Sequence, residues 1–135
     1  MKNLVTVLML GFAISGCATS PITTTSAQPV PASQILSAEL TTQTNGTAEV
    51  IVKRDSGMRG MGCMVRIYAD AKPAADLWRS EKVVMYLPEG DHIISASTCG
   101  GGVVEIQTIV KAGKVNTYRV GFGVVSELGI FPTAF

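Results

Sequence analysis

The hydrophobic positions of this chain fall into two regimes. Residues 4 to 14 form one continuous apolar stretch, interrupted only by Thr6 and Gly11. From Thr47 onward the apolar residues come in short runs that alternate with polar ones. In residues 47–54, Ala48, Val50 and Val52 share one face, with Glu49 and Lys53 on the other. In residues 63–70, Cys63, Val65, Ile67 and Ala69 oppose Arg66, Tyr68 and Asp70. Successive side chains of a strand point to opposite faces, so a period of two predicts half-buried strands. Further strands are predicted at 75–79, 82–87, 92–98, 103–111 and 114–120. Ala71-Lys72-Pro73 and Pro88-Glu89-Gly90-Asp91 read as turns, and Ala112-Gly113 joins 103–111 to 114–120 as a hairpin. About seven short strands with closely spaced turn signals predict an all-β fold, a small antiparallel β-sandwich over residues 47–135.

The apolar stretch near the start has a different meaning. Met1-Lys2-Asn3 supplies one positive charge, a short apolar core follows, and small residues come next. That is the pattern of a cleaved secretory signal over residues 1–16. A membrane-spanning helix takes about 20 apolar residues, so this segment is too short to span. Ile14-Ser15-Gly16-Cys17 resembles the lipobox of bacterial lipoproteins. The resemblance implies a diacylglycerol on the Cys17 sulfur, cleavage just before Cys17 and an N-acyl chain on the new amine. Membrane lipid is then a partner through Cys17, and no other cofactor is implied. Such chemistry needs a cysteine because the thiolate is the nucleophile. The next residue is Ala18 rather than Asp, which resembles the outer-membrane sorting pattern of enteric bacteria. The implied location is a lipid-anchored, periplasm-facing position at the outer membrane. The alternative is an ordinary secreted protein with a chance cysteine near its cleavage site.

Residues 17–46 read as a lipidated cysteine and a flexible tether. The run from Ala18 to Ser33 holds three prolines, many Ser and Thr, and no charge, so it has little to bury. A flexible segment of this size has an r.m.s. reach of roughly 30 Å. Residues 33–40 read either as a short helix capped by Ser33 or as continued linker.

Charge adds an exclusion. Lys plus Arg number 11 against 10 Asp plus Glu. Lys2 is the one charge ahead of Cys17, so the rest of the chain is balanced. There is no basic field of the kind nucleic acid selects. The 135-residue length suits one domain. A domain of this size is marginally stable, burying only about 60% of its unfolded surface. That gives Cys63 and Cys99 a structural role. They are the thiols left after Cys17 is lipidated, and export would place them in an oxidising compartment. A disulfide between them closes a loop of about 37 residues and contributes about 3.8 kcal/mol in the chain-entropy model.

The residues Val50 to Gly57, Gly62-Cys63, Val65 to Asp70, Leu87-Pro88-Glu89-Gly90-Asp91-His92 and Cys99-Gly100-Gly101 resemble small bacterial envelope lipoproteins with PEGA-like β-domains. The likeness spans roughly residues 48 to 120 and carries a fold expectation but no specific activity. It departs from the usual Asp-Gly-Lys turn, having Asp70-Ala71-Lys72-Pro73.

Candidate chemistry is sparse. His92 is the one histidine, and a triad or a histidine metal site needs partners beside it. Adjacent Asp91 points to the opposite face of a strand, so His92 reads as packed at a strand start. Residues 55–62 form a glycine-rich loop that lacks the Lys-Ser/Thr ending of a phosphate-binding loop. Loops carry function more often than cores, so Asp55, Met58, Arg59 and Met61 are the candidate contact residues. Trp78 reads as core. No catalytic or metal-ligating set emerges. The expected function is structural support or protein interaction in the envelope, with an envelope protein as partner. The second reading is a tethered inhibitor, immunity or phage-exclusion factor, and the third an enzyme.

Overall fold

A computed structural model describes residues 18–135, so the leader and Cys17 lie outside it. The elements in chain order are β1 (Gln28–Pro29), a 3-10 turn (Ala32–Gln34), α1 (Ala38–Thr41), β2 (Thr47–Arg54), β3 (Val65–Ala69) and β4 (Lys72–Leu77). They continue with β5 (Glu81–Pro88), β6 (Gly90–Thr98), β7 (Val103–Val110), β8 (Asn116–Phe122) and β9 (Leu128–Pro132). Two sheets pack face to face, the first in the order β1-β5-β2-β8-β9 and the second β4-β3-β6-β7. The chain is therefore a β-sandwich, as the alternation predicts. Ala48, Val50 and Val52 from β2, Val65, Ile67 and Ala69 from β3, and Val83, Met85 and Leu87 from β5 are all buried in one core. Burying each larger aliphatic side chain contributes about 1.5–3 kcal/mol, so the period of two is also the main stabilising pattern.

Two pairings depart from the antiparallel expectation. β1 runs parallel to β5, and β8 runs parallel to β2 from Val50 opposite Asn116 to Arg54 opposite Val120. The expected hairpin between 103–111 and 114–120 does not form. Residues 111–115 instead carry the chain from β7 in the second sheet to β8 in the first. As a hairpin partner of β7, β8 would leave the core side of the first sheet unfilled beside β2. Crossing over buries Tyr118, Val120 and Phe122 in the core. β9, unanticipated, pairs antiparallel with β8 and places Pro132 at the end of an edge strand, where a missing N–H is tolerated.

The β3–β4 turn is Asp70-Ala71, both at positive φ of 49° and 65°. Such a two-residue loop matches the strand twist. Lys72 and Pro73, expected in the turn, begin β4, an edge strand that admits Pro73. The Pro88–Asp91 turn takes β5 across to β6 in the other sheet.

The described part of the expected tether differs most. From Thr19 on, this segment lies along the sandwich. Main-chain bonds run from Thr19 N–H to the Phe122 carbonyl, Gln28 N–H to Ser80, Val30 N–H to Lys82 and Leu36 N–H to Ala74. Ala27 is buried, and Val30, Ile35 and Leu40 pack on the core. Apolar content alone understates such a segment, because backbone pairing needs no apolar side chain.

Candidate functional site

Strands β2, β4, β6 and β8 end, and β3, β5, β7 and β9 begin, at one end of the sandwich. Loops 55–64, 78–80, 99–102 and 123–127 gather there with Thr19 and Ser20. The loops are held by charges buried at the end of β2. Arg54 is almost wholly buried and donates to the carbonyls of Gly60 (2.7 Å), Cys63 (2.7 Å) and Leu77 (2.8 Å). Its guanidinium also lies 5.6 Å from the Phe122 ring centroid. One side chain thus joins loop 55–64 to the end of β4. The Cys63–Cys99 disulfide fixes the same loop to the end of β6, with Cα atoms 5.8 Å apart.

Asp55 accepts two bonds from Arg119, at 2.9 and 3.2 Å, and one from the Thr19 hydroxyl at 3.2 Å. Burial pushes its carboxyl up, while Arg119, Thr19 and Lys53 pull the other way and only in part succeed. Gly121 permits this approach, since a Cβ there would run into the Asp55 carboxylate and the Thr19 hydroxyl. Phe122 N–H donates to the Thr19 hydroxyl at 2.8 Å, and Ser20 pairs with Ser56. Thr19 is therefore locked at the centre of this end. Beside it, the buried Lys53 ammonium meets Thr24 and the main-chain oxygen of Phe135. Burial lowers its pKa, against the pull of Asp55 and with Arg119 and Lys82 adding to the fall.

The tips of these loops are apolar and open to solvent. Val125 is 78% exposed, Met58 72% and Val124 60%. Met61, Met64, Trp78 and Val103 stand exposed around them. Arg59 bonds the Ser126 hydroxyl, tying loop 55–64 to loop 123–127. Asp55 turns inward at this end, Glu81 is half-buried and Glu127 stands exposed. Asp55 faces Arg119, Glu81 accepts from Trp78 N–H and Gln34, and Glu127 accepts from Val125 N–H. The loops at the opposite end differ, exposing Asp70, Glu89, Asp91, Lys111 and Lys114.

The sequence candidates divide accordingly. Met58 and Met61 are exposed, and Arg59 stands between them with its guanidinium on Ser126. Asp55 is not a contact residue: at 1% exposure its carboxylate belongs to the interior, where Arg119 draws it. Trp78, expected in the core, is 39% exposed, because its loop lies beyond the last core residue of β4, Leu77. Val124 and Val125 were missed. Their only sequence signal was an apolar pair in a stretch with no strand alternation. Cys17 lies outside the described residues.

His92 has a partner that sequence proximity hid. Its Nδ1 lies 2.6 Å from Asp70 Oδ2, and its Nε2 lies 2.7 Å from the Pro88 carbonyl oxygen. Burial alone would lower the imidazolium pKa. The bonds to Asp70 and Pro88, with the charges of Asp70 and Asp91, outweigh that and hold it above the usual histidine value. The pair braces two turns. A shallow depression of about 250 Å³ on the outer face of the second sheet is lined by Arg66, Tyr68, Asp76 and Ser97. Arg66 and Asp76 there are bonded to each other at 2.7 and 2.9 Å. Among the described residues no group of three or more His, Cys, Asp or Glu is placed to hold a metal, and no helix is long and apolar enough to cross a membrane.

No family model and no curated protein matches the chain. The most built feature of the chain is the end described above: locked loops, apolar tips, and Thr19 fixed at the centre.

Proposed function

We propose that this chain is a lipid-anchored envelope module that holds a rigid, disulfide-stapled sandwich at a membrane surface for structural or protein-interaction purposes. The observation that carries the reading is the leader ending in Ile14-Ser15-Gly16-Cys17. The fixed position of Thr19 supports it, because an anchor two residues away would transmit the membrane's position directly to the domain. An acylated cysteine with two or more chains is stably anchored. The charged loops at the far end, with Glu89, Asp91, Lys111 and Lys114, would then face away from the bilayer toward a partner in the envelope.

The test is metabolic labelling of cells expressing the full chain with a clickable palmitate analogue. The labelled protein is expected in the outer-membrane fraction, and Cys17→Ser is expected to abolish both label and fractionation. Label that persists in the serine variant would refute the reading.

A further inference from the structure

We infer that the apolar end of the sandwich is itself a membrane-contacting surface, which seats its loop tips in the interfacial layer of the lipid bilayer. The inference rests on the reading of Cys17 as the lipidated residue and adds to it where the domain sits.

Three independent features meet. The first is reach. Thr19 is bonded through both its backbone and its hydroxyl to Phe122, and Ser20 pairs with Ser56. A fully extended chain spans at most about 3.6 Å per residue, so Cys17 lies no more than roughly 7 Å from Thr19. A spacer of the length that composition suggested is therefore absent between lipid and domain. The lipid holds this end of the sandwich, and no other, against the bilayer.

The second is polarity. Around Thr19 stand Val124 and Val125 on one loop, Met58 and Met61 on the next, and Trp78 on a third. Single exposed apolar residues are ordinary on a protein surface, whereas a group of them at one end marks a contact surface. Tryptophan favours the headgroup level of a bilayer, where one side of the ring is apolar and the other wet. The third feature is charge. Asp55 is buried against Arg119 and Glu81 accepts from Trp78 N–H, so Glu127, tied to the Val125 N–H of its own loop, is the exposed carboxylate of these loops, and the exposed Arg79 stands beside Trp78. The opposite end displays Asp70, Glu89, Asp91, Lys111 and Lys114.

The test uses the full-length chain, produced in cells that attach the lipid, purified in mild detergent and reconstituted into vesicles of phosphatidylethanolamine and phosphatidylglycerol. Val125→Cys and Lys114→Cys, at opposite ends of the sandwich, each carry a nitrobenzoxadiazole label. The expected result is that doxyl-labelled lipid quenches the position-125 label several-fold more than the position-114 label, while aqueous iodide shows the reverse order. In a second arm, the pair Val124→Asp and Val125→Asp is combined with a label at Met58→Cys. Both valines are largely exposed, so the fold is retained. Lipid quenching at position 58 is expected to fall several-fold with palmitate still attached.

Equal iodide access at both ends, on a chain that carries palmitate, would overturn the docking and leave the anchor reading standing. A position-125 label shielded from both quenchers would mean a protein covers the end, and would also overturn it. Absence of palmitate on the unsubstituted chain would overturn the anchor reading and the docking together.

Discussion

Arg54 is the side chain on which the architecture of the loop end depends. Its guanidinium serves three carbonyls, two in loop 55–64 and one at the end of β4, while the group is almost fully buried. Replacing it with methionine keeps most of the volume but leaves those carbonyls without their donor. The expected cost is about 3 kcal/mol by urea unfolding, and Arg54→Lys recovers little because an ammonium cannot reproduce the planar fork. Ala71 makes the opposite prediction. An alanine at φ 65° carries a steric penalty that glycine lacks. Ala71→Gly, which restores an Asp-Gly turn, is expected to raise stability by about 0.5–1 kcal/mol, read as a higher urea midpoint at unchanged slope. The Asp70–His92 pair sets a pH window. Because the folded His92 pKa lies above its ordinary 6.5, its stabilisation is complete below that value and fades as pH rises through the folded one. Burial alone would raise the Asp70 pKa, but its bonds to His92 and Ile93 N–H outweigh that and hold it below the usual 3.8. Its share is therefore complete above 3.8 and fades as pH falls through the lowered value. The Tm difference between the parent chain and His92→Gln is expected to be largest between those two ordinary values and to shrink above neutral pH. In Asp70→Asn the NMR titration midpoint of His92 is expected to fall.

Among the elements, loop 55–64 has the most to lose from reduction. Replacing Cys63 and Cys99 together with serine is expected to cost about 2–4 kcal/mol. Faster amide exchange is expected within 56–63, while the middle of β2 stays protected. The strands and this bridge were legible in the sequence for physical reasons. Inward positions alternate, as with Ala48, Val50 and Val52, and two thiols remain once Cys17 is set aside. The partners of the strands were not legible. Residues 114–120 carry the same alternation whether they pair with β7 or cross to β2, and the choice is made by the empty core position beside β2. β1 was invisible for another reason. Its two residues, Gln28 and Pro29, are held through neighbouring main-chain bonds to Ser80 and Lys82, and side-chain patterning does not register such bonds. The candidate site was half legible. Met58 and Met61 stood out in a loop that glycines mark as irregular. Asp55 was counted with the same loop because its partner, Arg119, lies 64 residues away in sequence.

For the whole molecule, the two ends of the sandwich are chemically unlike, and the anchor would choose between them. Thr19 is also the link through which the anchor would act. Gly121→Val is therefore expected to break the Thr19–Asp55 contact and free the N-terminal segment without unfolding the sheets. Limited proteolysis between residues 18 and 27 would report this as faster cleavage, at little change in the circular dichroism of the strands.

The central place of β2 has a consequence for the order of assembly. Both of its neighbours, β5 and β8, come later in the chain, and β8 lies some 60 residues downstream. Thr19 closes onto Phe122 across 103 residues, and Lys53 reaches Phe135 across 82. Such closures cost loop entropy before any contact offsets it, so a fold built on them is slow to nucleate. The first sheet cannot be completed until β8 and β9 are available. A nascent chain ending before Asn116 is therefore expected to show no protected amides in β2, and the finished chain to refold on the millisecond-to-second scale of non-local β-proteins. A chain that delays its own closure in this way remains threadable until β9 has been made, which is the state in which an unfolded polypeptide can pass through a narrow channel.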